Sequence, residues 1–160
     1  MEEAFSRELP IGDDWAEVNI NQKLLRIVAM VSGRVFIGPE LCREEEYIDA
    51  SINYTVDVMT AVRDIGSLNW FRHLRAPYLP SVKRIDQWIA QALGFLKPVV
   101  AARMKAAEED PKYEKPDDML QWLLDGSLRD GKTDVERIAK LQLGITFAAI
   151  HTTTLTTTNA

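Results

Sequence analysis

The sequence predicts an all-α fold, and three observations carry that prediction. Apolar residues recur every three or four positions along most of the chain. No stretch alternates with the period of two that marks a half-buried strand. Residues that start and stop helices sit where the periodic runs begin and end.

The first predicted helix, Asn19 to Ile37, is built on Leu24, Val28, Val31 and Val35 and stopped by Gly38-Pro39. The second steps through Tyr47, Ser51, Tyr54, Val58, Ala61 and Ile65, with Ile48, Ile52, Met59 and Val62 widening the stripe and Asp49, Asp57 and Asp64 lying off it. The third runs from about Pro80 to Glu109 through Ile85, Ile89, Leu93 and Leu96. Pro98 is expected to kink it, because proline lacks an N–H and its ring crowds the carbonyl one turn back. A short fourth helix follows Pro116-Asp117-Asp118, residues suited to a first turn, and is expected to stop near Gly126. The fifth starts at Thr133, which with Glu136 forms a T-x-x-E capping box. These make about five helices in a single unit spanning residues 1–160, with no internal repeat and no long linker.

Composition narrows the function classes. The 160 residues are 46% hydrophobic and 27% charged, enough to build one globular core. Cys42 is the only cysteine, so one chain can form neither an internal disulfide nor a multi-cysteine metal site, and a reducing compartment is implied. His73 and His151 are too isolated to suggest a metal cage, so no metal ligand is assigned. No apolar run approaches the roughly 18 residues needed to span a bilayer, and the acidic start MEEAFSREL is unlike a signal peptide. Net charge is −5, all of it in residues 1–80, which carry 8 basic and 13 acidic groups against 11 of each in residues 81–160. That balance argues against a nucleic-acid partner, which needs a basic face. One island runs the other way: between Ile65 and Ile85, Arg72, Arg75, Lys83 and Arg84 mingle with Trp70, Phe71 and Tyr78, with no acid among them.

The fifth helix holds the strongest functional candidates. At 100° per residue, Ile138, Leu141, Ile145, Ala148, Ala149 and Thr152 share one face, while Leu143, Phe147 and Ile150 cover much of the other. A helix apolar on both sides is normally buried, so this one is expected to cross the core. From Asp134 to Asn159 it would span 26 residues, roughly 40 Å at 1.5 Å per residue. Six threonines after Ala149 are poor helix formers, and such hydroxyls tend to bond back one turn. They read either as a frayed polar end or as hydroxyls facing a buried polar site.

The stretch Ala148-Ala149-Ile150-His151-Thr152-Thr153 resembles the central helix of the cytochrome P-450 family, haem-thiolate monooxygenases whose pattern there is Ala/Gly-Gly-x-Asp/Glu-Thr-Thr/Ser. Ala149 replaces the glycine and His151 the acid. LLRIVAMVSGRVFIGPELCREEEYIDASINYT, residues 24–55, is similar to the paired helices before the substrate roof in fungal members of secondary metabolism. RAPYLPSVKRI, FLKPVVAARMK and KPDDMLQWLLDG continue the likeness in order. The resemblance implies a partial P-450 domain covering the middle of the fold. The family's Glu-x-x-Arg helix and Phe-x-x-Gly-x-x-x-Cys-x-Gly haem loop, like its amino-terminal anchor, are expected to be absent from this chain. Cys42 sits in Gly-Pro-Glu-Leu-Cys-Arg, which does not match that loop; it reads as a buried structural thiol, not the axial ligand.

What the resemblance implies can be stated residue by residue. Haem would be the cofactor, its thiolate favouring O–O cleavage. Thr152 would hold water or oxygen and help deliver protons. His151 would stand where an acid relays them, a task imidazoles in general perform near neutral pH. Ala148 and Ala149 would line the groove beside haem and substrate. The partners implied are a hydrophobic small molecule and an NADPH-dependent reductase, at the cytosolic face of the endoplasmic reticulum membrane, with Trp70 and Phe71 touching the membrane surface. The chain alone is expected to be inactive.

Three other readings compete. Gly126-Ser127-Leu128-Arg129-Asp130-Gly131-Lys132-Thr133 satisfies the P-loop pattern, although a helix rather than a strand precedes it and Asp130 would crowd phosphates. Asp13-Asp14-Trp15-Ala16-Glu17 has the D-D-x-x-E form of metal-dependent isoprenoid enzymes but lies ahead of the first predicted helix. A non-catalytic helical interaction module is the remaining class.

Overall fold

In the computed structural model, residues 2–9, 12, 14–68, 70, 72–110, 112–129, 131 and 133–159 are described. They form seven α-helices and no strand. The helices are α1 (Glu2–Glu8), α2 (Ile20–Phe36), α3 (Glu45–Ser67), α4 (Arg72–Arg75), α5 (Pro80–Glu109), α6 (Met119–Arg129) and α7 (Val135–Thr158). Short 3-10 turns at Leu41–Arg43 and Ala76–Tyr78 lead into α3 and α5.

Helix α7 is the central element. It packs most extensively on α2, then on α5, α3 and α6. Asn21 at the start of α2 bonds Thr158 at the end of α7 (3.3 Å), so these two helices run antiparallel. Helix α3 runs alongside in the same direction as α7, its Tyr47 beside Thr146 and its Thr55 sharing a cleft with Thr154. The core between them is formed by Ile27, Ala29, Met30, Tyr47, Ile48, Leu96, Leu120, Leu124, Ile138, Leu143 and Ile150.

Local chemistry explains most boundaries. Asn19 caps α2 by accepting from the Gln22 amide (3.2 Å), and the chain leaves that helix through Gly38 at φ +94°, a conformation that favours glycine. The predicted Thr133 capping box is corrected. The cap of α7 is Asp134, whose carboxylate accepts from the Arg137 amide (3.0 Å), while Glu136 pairs with Lys140 (2.7 Å). Helix α6 does not stop at Gly126 but continues to Arg129; the positive φ falls at Gly131 (+76°). Helix α5 continues through Pro98 without interruption. Pro98 and Gly94, whose carbonyl loses its usual donor, both lie on the exposed face, so water can serve that carbonyl and glycine offers little bulk to the ring.

Two expectations about α2 and α3 also shift. The buried face of α2 is Leu24, Ile27, Ala29, Met30 and Gly33, leaving Val35 exposed. On α3, Val62 and Met59 are exposed and Asp57 is buried. Asp57 tolerates burial because Arg84 Nε and Trp88 Nε1 on α5 each donate to it at 2.8 Å. Helix α1, absent from the sequence-based expectation, is pinned by ion pairs of Arg26 with Glu8 (2.7 Å), Arg43 with Glu3 (2.7 Å) and Arg7 with Glu45.

Candidate functional site

The four candidate residues sit in two turns of α7 but do not converge. Buried positions on this helix are Ile138, Ala139, Gln142, Leu143, Thr146, Ile150 and Thr154, close to a four-residue step. Ala148 and Thr152 lie on the opposite, exposed side together with Leu141 (43% exposed) and Ile145 (38%). The expectation of a helix buried on both sides is therefore corrected: one face enters the core and the other is open. Ala149 and His151 are half-buried on the flanks between them.

The hydroxyl of Thr152 donates to the Ala148 carbonyl (2.6 Å), which fixes the side chain and leaves its oxygen free to accept. The His151 ring stacks on Phe147, one turn earlier, with centroids 5.5 Å apart and planes within 8°. The sequence pattern held Phe147 only as a core residue; the i, i+4 spacing was the signal for this pair.

His151 also lines a cleft of about 480 Å³ that Thr152 does not reach. Its walls are Asn21 and Leu25 from α2, Val56, Met59 and Arg63 from α3, and Thr154 and Leu155 from α7. Of the α2 and α3 residues only Met59 was noted from sequence, and as part of an apolar stripe rather than of a site, because which helix faces which is decided by packing.

Haem is the group the sequence resemblance implies. The outer stripe of α7, with Leu141, Gly144, Ile145, Ala148 and Thr152 exposed, offers small and apolar side chains against which a flat apolar ring fits. Iron ligation is another matter. Cys42 is buried in the turn before α3, its thiol donates to the Pro39 carbonyl (3.4 Å), and burial pushes its pKa up, all opposite to a ligating thiolate. Among the described residues no group of three or more His, Cys, Asp or Glu is placed to hold a metal.

The rival motifs fare poorly. Gly126 to Arg129 of the P-loop match belong to α6, so their amides are engaged in a helix; Asp130 and Lys132 lie outside the described residues. In the D-D-x-x-E match, Asp13 lies outside them too, while Asp14 and Glu17 are exposed in non-helical chain. In the basic–aromatic island Trp70 (81%), Leu74 (72%) and Tyr78 (73%) are exposed around α4, and Phe71 lies outside the described residues. No helix is long and apolar enough to cross a membrane among the described residues.

Comparison with known proteins finds relatives of one kind. The chain is 42% identical over 151 residues, 94% of its length, to cytochrome P450 monooxygenase BOA4 of Botryotinia fuckeliana. It is 37% identical over 95% of its length to cytochrome P450 monooxygenase ATR3 of Stachybotrys chlorohalonatus, and 34% over 99% to cytochrome P450 monooxygenase AtmP of Aspergillus flavus. The chain is homologous to fungal cytochrome P450 monooxygenases. It spans about 30% of the length of these relatives. No family model and no solved structure matches the chain. The all-helical architecture fits a portion of a cytochrome P450 fold, and its homologues imply haem iron as the cofactor of the family.

Proposed function

We propose that this chain forms the oxygen-side wall and substrate roof of a cytochrome P450 monooxygenase that inserts one oxygen atom into a hydrophobic small molecule. The observation that carries this reading is the open stripe on α7, apolar and small through Leu141, Ile145 and Ala148 and ending in the polar Thr152, within a chain of P450 ancestry. Haem held by a cysteine thiolate from outside these 160 residues would supply oxygen activation.

The residues of α7 divide the remaining work. Ala148 and Ala149 keep the helix surface low, so a flat ring and a substrate can lie against the backbone. Thr152 Oγ1, its proton committed to the Ala148 carbonyl, would accept a hydrogen bond from water and so hold it at this face of the helix. His151, held by the Phe147 ring, exchanges protons with water in the α2–α3–α7 cleft and serves as the relay to that side. The partners on this reading are an NADPH-dependent reductase and, through Trp70 and Phe71, the cytosolic surface of the endoplasmic reticulum membrane. The exposed Trp70, Leu74 and Tyr78 supply interfacial chemistry for that contact.

The test is the coupling of oxygen consumption to product in the haem-loaded monooxygenase that carries this sequence. Thr152→Ala is expected to leave oxygen consumption running while product falls by about a hundredfold, the lower end of what a positioned proton-transfer group contributes. Unchanged coupling removes Thr152 from this role.

A further inference from the structure

Helices α3 and α7 bury a line of polar side chains against each other. From α3 come Tyr47, Ser51 and Thr55, at four-residue spacing; from α7 come Gln142, Thr146 and Thr154, with Ile150 completing the same step. All six polar residues are at most 3% exposed. Among the described residues, seven buried side-chain N or O atoms lack a direct hydrogen-bond partner, and six of them belong to this line: Tyr47 OH, Ser51 Oγ, both polar atoms of Gln142, Thr146 Oγ1 and Thr154 Oγ1.

The other threonines make the pattern informative. Thr55, Thr152, Thr156 and Thr157 each donate back to the carbonyl four residues earlier, at 2.6–2.8 Å. Thr146 and Thr154, on the same helix as three of these, make no such bond. Their hydroxyls are held away from the local acceptor that a helical threonine normally takes. Burial pushes the pKa of the Tyr47 hydroxyl up to about 12, with the nearby Thr146 and Ser51 hydroxyls opposing that shift only in part, and none of the three reaches direct hydrogen-bond geometry. Buried polar groups without a direct partner are characteristically served by water where the interior leaves room for it, each water needing two to four such partners.

We propose that the α3–α7 interface is an internal hydration site, in which water molecules bridge Tyr47, Ser51, Gln142 and Thr146 and reach the cleft at Thr154. Thr55 and Thr154 both line that cleft, so its floor is the end through which these waters exchange with bulk. The site does not depend on haem or on monooxygenase chemistry.

Oxygen-17 magnetic relaxation dispersion on the 160-residue protein tests this directly, because only long-lived internal waters contribute to it. The wild type is expected to show a dispersion step, and Thr146→Val and Gln142→Leu are each expected to lower it by about one water molecule, with an exposed Val62→Thr control unchanged. Absence of the step in the wild type, or a step that both variants leave intact, overturns the proposal in favour of direct hydroxyl contacts alone. Should either variant fail to fold, Ser51→Ala and Tyr47→Phe remove partners from the same site and give the same reading.

Discussion

Toward α5, helix α3 presents Asp57 and Asp64; toward α7 it presents Tyr47 and Ser51. The first pair is directly bonded: Arg84 and Trp88 hold the two oxygens of Asp57 at 2.8 Å, and Ser81 donates to one oxygen of Asp64 at 2.8 Å. The hydroxyls of the second pair make no direct hydrogen bond among the described residues. The difference follows from what each group tolerates. A carboxylate in a protein interior needs donors fixed against it, because an unpaired charge there is very costly. A hydroxyl is neutral, donates and accepts, and can be served by a mobile water. Helix α3 thus meets α5 through direct bonds to its charged groups, while its Tyr47 and Ser51 hydroxyls face α7 without such bonds.

The largest expected effect comes from breaking a direct charged contact. Arg103 on α5 grips both oxygens of Asp118 at 2.7 and 2.6 Å, and Asp118 is 3% exposed. Arg103→Met leaves that carboxylate without its guanidinium, and a loss of about 3–5 kcal/mol is expected in denaturant unfolding. A loss below about 1 kcal/mol would show that buried charge here does not require a direct partner.

A steric change on the hydroxyl side ranks next. Gly33 of α2 faces the Tyr47 ring, and a Cβ there would lie 2.7 Å from Tyr47 Cε1 and 3.0 Å from Cys42 Cβ. Gly33→Ala is expected to cost about 1–3 kcal/mol by overpacking and to displace the Tyr47 hydroxyl. A neutral substitution would mean that the ring is free to move and that the close approach of α2 does not position it.

The smallest effect concerns Asp57→Asn, expected to lose about 1–2 kcal/mol at neutral pH as charged hydrogen bonds become neutral ones. The Arg84 guanidinium, and after it the Trp88 N–H, hold the Asp57 carboxyl below the ordinary carboxylate range against the opposing effect of burial. Its stabilisation is complete above the pKa of the unfolded carboxylate and is lost as pH falls through the lower folded value. Wild type should therefore lose stability more steeply than Asp57→Asn below about pH 4. Parallel acid profiles would remove this pair from the account of acid stability.

Helix existence was legible in the sequence because apolar periodicity is a local property. The five predicted helices all appear, and Asn19, Gly38 and Pro80 mark real boundaries. The start of α7 was misassigned by one residue because Thr133 and Asp134 are both good caps, and which side chain reaches an amide depends on the turn before it. Asp57 was placed outside the core because its partners, Arg84 and Trp88, lie 27 and 31 residues further along. Helix α1 escaped because its ion pairs are made with α2 and the start of α3 rather than within itself. At the candidate site, the spacing of Ala148, Ala149 and Thr152 was visible, but not that this face is open while Thr146 and Thr154 face inward.

The back-bonded residues at the end of α7 have a mechanical consequence. Thr152, Thr156, Thr157 and Asn159 give the carbonyls of Ala148, Thr152, Thr153 and Leu155 a side-chain donor in addition to the main-chain one. A helix bends when a carbonyl lets go of its amide and finds another donor, usually water or a hydroxyl. Here the replacement donors are already in place, on exposed residues within about two turns of Thr152. This end of α7 can flex without leaving a carbonyl bare, which makes it the compliant segment of an otherwise stiff central rod.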